Sequence, residues 1–311
     1  MPLEDLVIQV RPHQIDPARM ALYRRVFVIA IVGNGLLAAS KGTVGVISGS
    51  NAVLADAANS MSDVLYTIFL IVGLWLSQKP ADPGHPQGHA RFEPLVSLVI
   101  ATTMGLTGYE VIRRSAGALF GQPEAIDLGW PVIVLLGSAI IKAIMYLLVR
   151  SIALQIHSPA IEATAKDNLA DVLTSAAALV GVVGSNYIST FLDPIAGIFV
   201  SMWIFRAAFQ VLRENLGYLT GQAAPPEIID LIVREAKEVH GVDDVHQVIA
   251  DYVGPQLRVD MHIDVDGDLP FTRVHQISDA VTERIESLEP IDLVYIHVEP
   301  IQTVSRGGTR G

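Results

Sequence analysis

Two short polar patterns stand inside long apolar runs: Asn59-Ser60-Met61-Ser62-Asp63 and Asp167-Asn168-Leu169-Ala170-Asp171. In each, an oxygen-bearing side chain recurs at i and i+4. On a helix that spacing puts both oxygens on one face, one turn apart. Ionisable groups at membrane depth are costly and are read first as functional. If the two helices face each other, Asn59, Asp63, Asp167 and Asp171 converge as four oxygen donors with as many as three negative charges. Such a set is a cation site within a bilayer.

The elements that must position these residues follow from composition. Apolar residues make up 51% of the chain and charged ones only 17%. A soluble domain carries roughly a quarter charged residues, so the balance points to an integral membrane protein. The chain has no cysteine, which excludes disulfides and thiolate chemistry. A net charge of −11, without a long basic run, argues against nucleic acid as a partner. Residues 1–20 are polar and mixed; they read as a cytoplasmic tail and not as a cleaved leader. Six apolar segments follow, each near the roughly twenty residues that cross a bilayer: 26–48, 53–76, 95–112, 130–149, 161–183 and 190–212. The second and fifth are the least apolar and carry the two patterns, as expected of helices that face inward. Arg11, Arg19, Arg24, Arg25, Lys79, Arg91, Arg150, Lys166 and Arg213 fall on one side of the membrane, against Arg113 and Arg114 on the other. The positive-inside rule then places both termini in the cytoplasm, in a multi-pass protein of the cell's inner (plasma) membrane.

The loop between the second and third segments is rich in turn residues and holds His85 and His89, either solvated imidazoles or metal ligands. Beyond residue 214 the composition changes. A linker is expected over 215–224, a domain over 225–303 and a disordered tail over 304–311, after a six-helix membrane domain over 21–214. In the last domain, 226–240 and 270–288 have helical apolar spacing, 245–252 and 291–298 read as strands, and 257–265 alternates apolar and polar residues. The order αββαβ suits a small α+β domain with helices on one face of a short sheet. About eighty residues is small for a lone core, which favours pairing with a second copy.

Taken together these residues resemble the cation diffusion facilitator family over nearly the whole chain. The resemblance rests on Leu54-Ala55-Asp56-Ala57-Ala58-Asn59-Ser60-Met61-Ser62-Asp63, His85-Pro86-Gln87-Gly88-His89, Asp167-Asn168-Leu169-Ala170-Asp171, Leu192-Asp193-Pro194, and His262, His275 and His297 near the end. It implies an α-helical membrane protein of six transmembrane helices, a C-terminal α+β ferredoxin-like cytoplasmic domain, a homodimer, and export of divalent metal in exchange for protons. Zinc-transporting members typically place a histidine in at least one intramembrane pair. Here those positions are Asn59 and Asp167, so the set is all oxygen and looks like the manganese-exporting branch. Oxygen ligands suit harder ions such as Mn²⁺, with Fe²⁺ or a broad range (Zn²⁺, Co²⁺, Cd²⁺) in reserve.

Several residues admit two readings. Asp56 shares the face of Asn59 and Asp63 and is an auxiliary carboxylate on the ion path or, preferred here, a hydrogen bonder between helices. Lys142 is the partner of a buried carboxylate or a side chain that snorkels to the interface. His246, His262, His275, His297 and Glu299 form a cytoplasmic metal site or a solvated surface. The expected function is a Mn²⁺/H⁺ antiporter working by alternating access, with divalent metal, protons and the bilayer as its partners and no cofactor. The alternative from another class is a metal sensor or scaffold that moves nothing. No nucleophile–base constellation supports an enzyme.

Overall fold

The computed structural model describes residues 17–48, 51–120, 130–187 and 191–301. The chain divides into two compact units, Met1–Leu216 and Gly217–Gly311.

The first unit is built from six long helices: α1 (Pro17–Ser48), α2 (Asn51–Ser77), α3 (Phe92–Phe120), α4 (Trp130–Ile156), α5 (Pro159–Tyr187) and α6 (Leu192–Thr220). Each covers its predicted apolar segment, apart from the two residues before Leu192. Four of them, α1, α3, α4 and α6, are long and apolar enough to cross a membrane. Among the described residues α2 contributes a shorter apolar stretch, Asp63–Ser77. Helix α5 carries Glu162, Lys166, Asp167 and Asp171. The surface of the unit is inverted relative to a soluble protein. Phe69, Leu147 and Phe199 are exposed, whereas Asn34, Lys41, Thr67, Lys142, Asn168 and Asn215 are buried. Lipid solvates the first group, and the second can be satisfied only by neighbouring helices.

Small residues let the helices approach. A Cβ at Gly33 of α1 would collide with Met145 of α4, and one at Gly73 of α2 with Val96 of α3. The turn between α4 and α5 is only two residues long. Ser158 Oγ accepts the Ile161 N–H at 3.3 Å and so caps α5, with Pro159 in the first helical position. The Ser158 hydroxyl in turn donates to the buried Glu93 carboxylate, tying the turn to α3. A hairpin this tight sets residues equidistant from the turn side by side. Lys142 and Asp171 both lie about 20 Å along their helices from it.

The second unit has the predicted order: α7 (Pro226–Lys237), β1 (Asp244–Val253), β2 (Gln256–Val265), α8 (Phe271–Glu286) and β3 (Ile291–Pro300). Strands β1 and β2 form an antiparallel hairpin, and β3 joins β2 in parallel. Parallel pairing needs a crossover, which α8 supplies. The result is a ferredoxin-like unit without a full opening strand, although Ala223 makes an isolated bridge to Asp251. Leu257, Val259, Met261, Ile263 and Val265 alternate inward along β2 onto Ile232 and Ala236 of α7 and Ile277, Val281 and Ile285 of α8. The opposite face carries the polar residues of β2, with Ile249 and Tyr295 exposed beside Asp260.

The expected linker is shorter than the sequence suggests. Helix α6 runs to Thr220, so residues 215–220 are helical, and Gly221, at φ 70°, ends the helix in the left-handed region. Helix α1 likewise begins at Pro17, inside the expected tail; residues 1–16 and the expected tail at 304–311 lie outside the described residues.

Candidate metal centres

Asp63 of α2 and Asp171 of α5 meet around one ammonium group. Lys142 Nζ donates to Asp63 Oδ2 at 2.9 Å and stands 2.6 Å from Asp171 Oδ2. The lysine side chain is only 5% exposed, and the two carboxylates 16% and 21%. At 2.6 Å the Lys142–Asp171 contact is a close ion pair linking α4 to α5. Asp167, one turn before Asp171, lies within electrostatic reach of Asp171, Asp63 and Lys142. Lys41 of α1 is buried and in electrostatic reach of Asp63. Two carboxylates from two helices thus meet on Lys142, with a third, Asp167, in electrostatic reach. Both Asp63 and Asp171 lie midway along their helices. Asn59 and Asp56 sit on α2, but their side chains lie outside the described residues.

The neighbouring polar groups fix α2 in place. Thr67 Oγ1 donates to the Asp63 carbonyl at 2.8 Å and accepts from Asn34 Nδ2 of α1 at 3.2 Å. On α5, Asn168 turns from the carboxylates and donates to the Thr164 carbonyl at 2.9 Å. Of the two readings of Lys142, snorkelling fails on geometry, because a side chain reaching about 6 Å cannot span the distance from mid-helix to an interface.

A second group lies in the loop between α2 and α3. Asp82, His85 and His89 bring ligand atoms within 4.8 Å of one another. Asp82 Oδ1 accepts the backbone N–H groups of His85 at 2.7 Å and Gly84 at 2.9 Å. These donors, the His85 N–H first, hold the carboxyl below its usual range. His89 is buried, with Nδ1 3.1 Å from the Pro80 carbonyl and Nε2 3.5 Å from Asp82 Oδ2. A carbonyl can only accept, so Nδ1 donates to Pro80, and Nε2 is the ring nitrogen that faces Asp82 and is placed to ligate a metal. The sequence reading found both histidines and missed Asp82; its signal was the spacing Asp-x-x-His-x-x-x-His in a loop.

A third group lies on the polar face of the second unit's sheet, where His246, His262 and Glu299 have ligand atoms within 4.8 Å of one another. Glu299 Oε1 is 3.0 Å from His262 Nδ1 and 3.6 Å from His297 Nε2. The β2–β3 register sets His262 beside His297 and Asp264 beside Glu299. His246 arrives by a different device. The β1–β2 register slips between Val245 and Gln247, and this bulge re-aims His246 toward Asp264, at 3.2 Å. Asp264 was not foreseen. His275 is not brought in: it stacks on Phe271 of its own helix and lies 3.5 Å from Asp279.

Comparison with known proteins bears on both units. Residues 27–220 match the description "Cation efflux transmembrane domain", and residues 224–301 match "Cation efflux protein, cytoplasmic domain". The chain is 34% identical to an uncharacterized transporter of Methanocaldococcus jannaschii over 88% of this chain and 96% of that one. It is 27% identical to the manganese efflux system protein MneS of Bacillus subtilis, over 88% of this chain and 94% of that one. With the magnetosome protein MamM of Paramagnetospirillum magneticum the identity is 31%, over 84% of this chain and 85% of that one.

Proposed function

The chain belongs to the cation efflux family, whose members carry divalent metal ions out of the cytoplasm, and within that frame we propose that this one exports Mn²⁺ in exchange for protons. The observation that supports this reading is the meeting of Asp63 and Asp171, from two helices, at one buried point with Asp167 in reach. Every donor in the proposed transport set (Asn59, Asp63, Asp167 and Asp171) is an oxygen. Oxygen donors suit Mn²⁺ better than the softer ions that imidazole or thiolate would select. Likeness to a relative named a manganese efflux protein points the same way.

Charge balance supplies the coupling. Three carboxylates in a low-dielectric volume require compensation, so a departing dication is replaced by protons as well as by the local ammonium. Alternating exposure of the set to the two sides of the membrane turns that replacement into antiport. The cytoplasmic-domain match favours a homodimer with both termini in the cytoplasm, in agreement with the loop charges. The Asp82–His85–His89 and His246–His262–Glu299 groups mix imidazole with carboxylate and suit borderline ions as regulators, so they need not take the cargo ion. A metal sensor that moves nothing is the second reading, and the sheet-face group is what favours it.

Flux into vesicles separates these readings. Mn²⁺, Fe²⁺, Zn²⁺, Co²⁺ and Cd²⁺ are offered side by side to reconstituted protein. Preferred, saturable Mn²⁺ uptake is expected; metal binding without any uptake leaves only the sensor.

A further inference from the structure

Lys142 belongs to no part of the polar patterns that define the transport set, yet it touches two of their members. We propose that Lys142 is a built-in competitor of the transported ion: its ammonium holds Asp63 and Asp171 together until a divalent cation displaces it, and its return helps to drive the ion off. This deepens the reading of the intramembrane site and rests on it.

Three observations carry the proposal. First, the ammonium stands where the metal must go. It lies 2.9 Å and 2.6 Å from Asp63 Oδ2 and Asp171 Oδ2. A metal shared by the same two oxygens would sit about 2.2 Å from each, so the two cations claim one space. Second, the lysine has nowhere neutral to retreat. It is almost wholly buried in the middle of α4, and buried lysines persist only where they are paired. Third, the charges close on it from several elements. Asp63 from α2 and Asp167 and Asp171 from α5 are carboxyl groups facing it, and Lys41 of α1 lies in reach of Asp63. A dication added beside an unmoved ammonium would place like charges within a few ångströms in a poorly screened setting.

The consequence concerns release. A site made only of carboxylates and an amide would bind a dication tightly and part with it slowly. A resident cation on a tether shortens that step, because the carboxylates are never left bare. Lys142 is therefore a positioning residue whose loss should tighten binding and slow turnover, whereas the loss of a merely structural lysine would weaken both.

The test is Mn²⁺ flux in reconstituted full-length protein. Lys142→Gln, which removes the charge and keeps much of the length, should lower KM about tenfold and lower kcat about tenfold. Lys142→Arg, which keeps the charge, should hold KM within about twofold of wild type. If turnover of Lys142→Gln is too slow to follow, equilibrium binding of Mn²⁺ in nanodiscs reads the same site, with the signal of the Lys142→Gln/Asp171→Ala double variant subtracted; a site about tenfold tighter than wild type is expected. Lys142→Met serves if the Gln variant aggregates. An unchanged or raised KM in the charge-removing variants, with no tighter site in the binding measurement, overturns the proposal. So does an Arg variant that behaves like Gln. Asp63→Ala and Asp171→Ala keep the two ideas apart: if they transport like wild type, the intramembrane site itself is wrong, and if they are dead while Lys142→Gln keeps its KM, only the competitor is wrong.

Discussion

In the membrane unit two carboxylates close on an ammonium, whereas on the sheet of the second unit one carboxylate, Glu299, is ringed by imidazoles. Both arrangements gather charge, but in different media. The first is almost sealed, with Lys142 5% exposed. The second is open, with His246 and His297 38% and 65% exposed. A buried carboxylate pair needs a compensating cation or protons, and on the proposed reading the transported ion takes that place in turn. An exposed imidazole cluster is stable with or without metal, because water solvates it either way. It can report metal without being obliged to pass it on. The difference also divides the donors by softness, all oxygen inside and mixed nitrogen and oxygen outside.

The comparison breaks most easily at the carboxylates. Asp63→Ala and Asp171→Ala should each lower Mn²⁺ flux by at least about a hundredfold, because each removes both a ligand and a charge that balances a buried dication. Matched substitutions at His262 or Glu299 should leave flux within about threefold of wild type. Metal-induced stabilisation of the second unit should fall instead, which a thermal shift with Zn²⁺ would read. If the histidine variants abolish flux, the two regions do not differ in the way described.

A milder change should sharpen the contrast in softness. Introducing imidazole inside, as Asn59→His or Asp167→His, should raise the Zn²⁺/Mn²⁺ flux ratio about tenfold, since a nitrogen donor improves a zinc set more than a hard-ion set. An unaltered ratio in both variants means that ligand softness does not set selectivity here.

The smallest expected effect lies in the loop group. Its Asp82 carboxyl is held down chiefly by the His85 backbone N–H. A depressed folded-state value means a contribution to loop order that is fully present above the unfolded-state value of about 3.9 and is lost as pH falls through the folded-state one. Amide exchange at Gly84 and His85 should therefore be slower in wild type than in Asp82→Asn at neutral pH, with the difference shrinking only at strongly acid pH. A difference that vanishes near neutrality contradicts this account of the turn.

Much of this was legible because the membrane imposes strong rules. Length, hydropathy and loop charge marked six segments, and the i, i+4 pairs stood out because polar residues are rare at that depth. Strict alternation along Leu257–Val265 marked β2 as a strand with one buried face, and its burial follows that pattern. What stayed hidden depends on contacts distant in the chain. Lys142 could be given two roles but not its partners, since Asp63 is 79 residues away. Asp82 was passed over in a loop rich in turn residues, because a carboxylate that accepts backbone N–H groups and one that faces histidines have the same sequence signature. His246 was named from its proximity to a strand, but its place beside Asp264 depends on a bulge, and a one-residue slip of register is invisible to a pattern of period two. His275 shows the converse: it was grouped with the others through the family resemblance, and its helix turns it toward Asp279.

The most direct test of the intramembrane exchange site is Mn²⁺ uptake into acid-inside proteoliposomes by wild type and Asp171→Ala, reconstituted in equal amounts, before and after an ionophore collapses the proton gradient. Wild type should show saturable uptake that falls on collapse, and Asp171→Ala should show at most about a hundredth of it under either condition. Equal uptake by the two proteins would contradict the account, and wild-type uptake indifferent to the gradient would strip it of proton coupling.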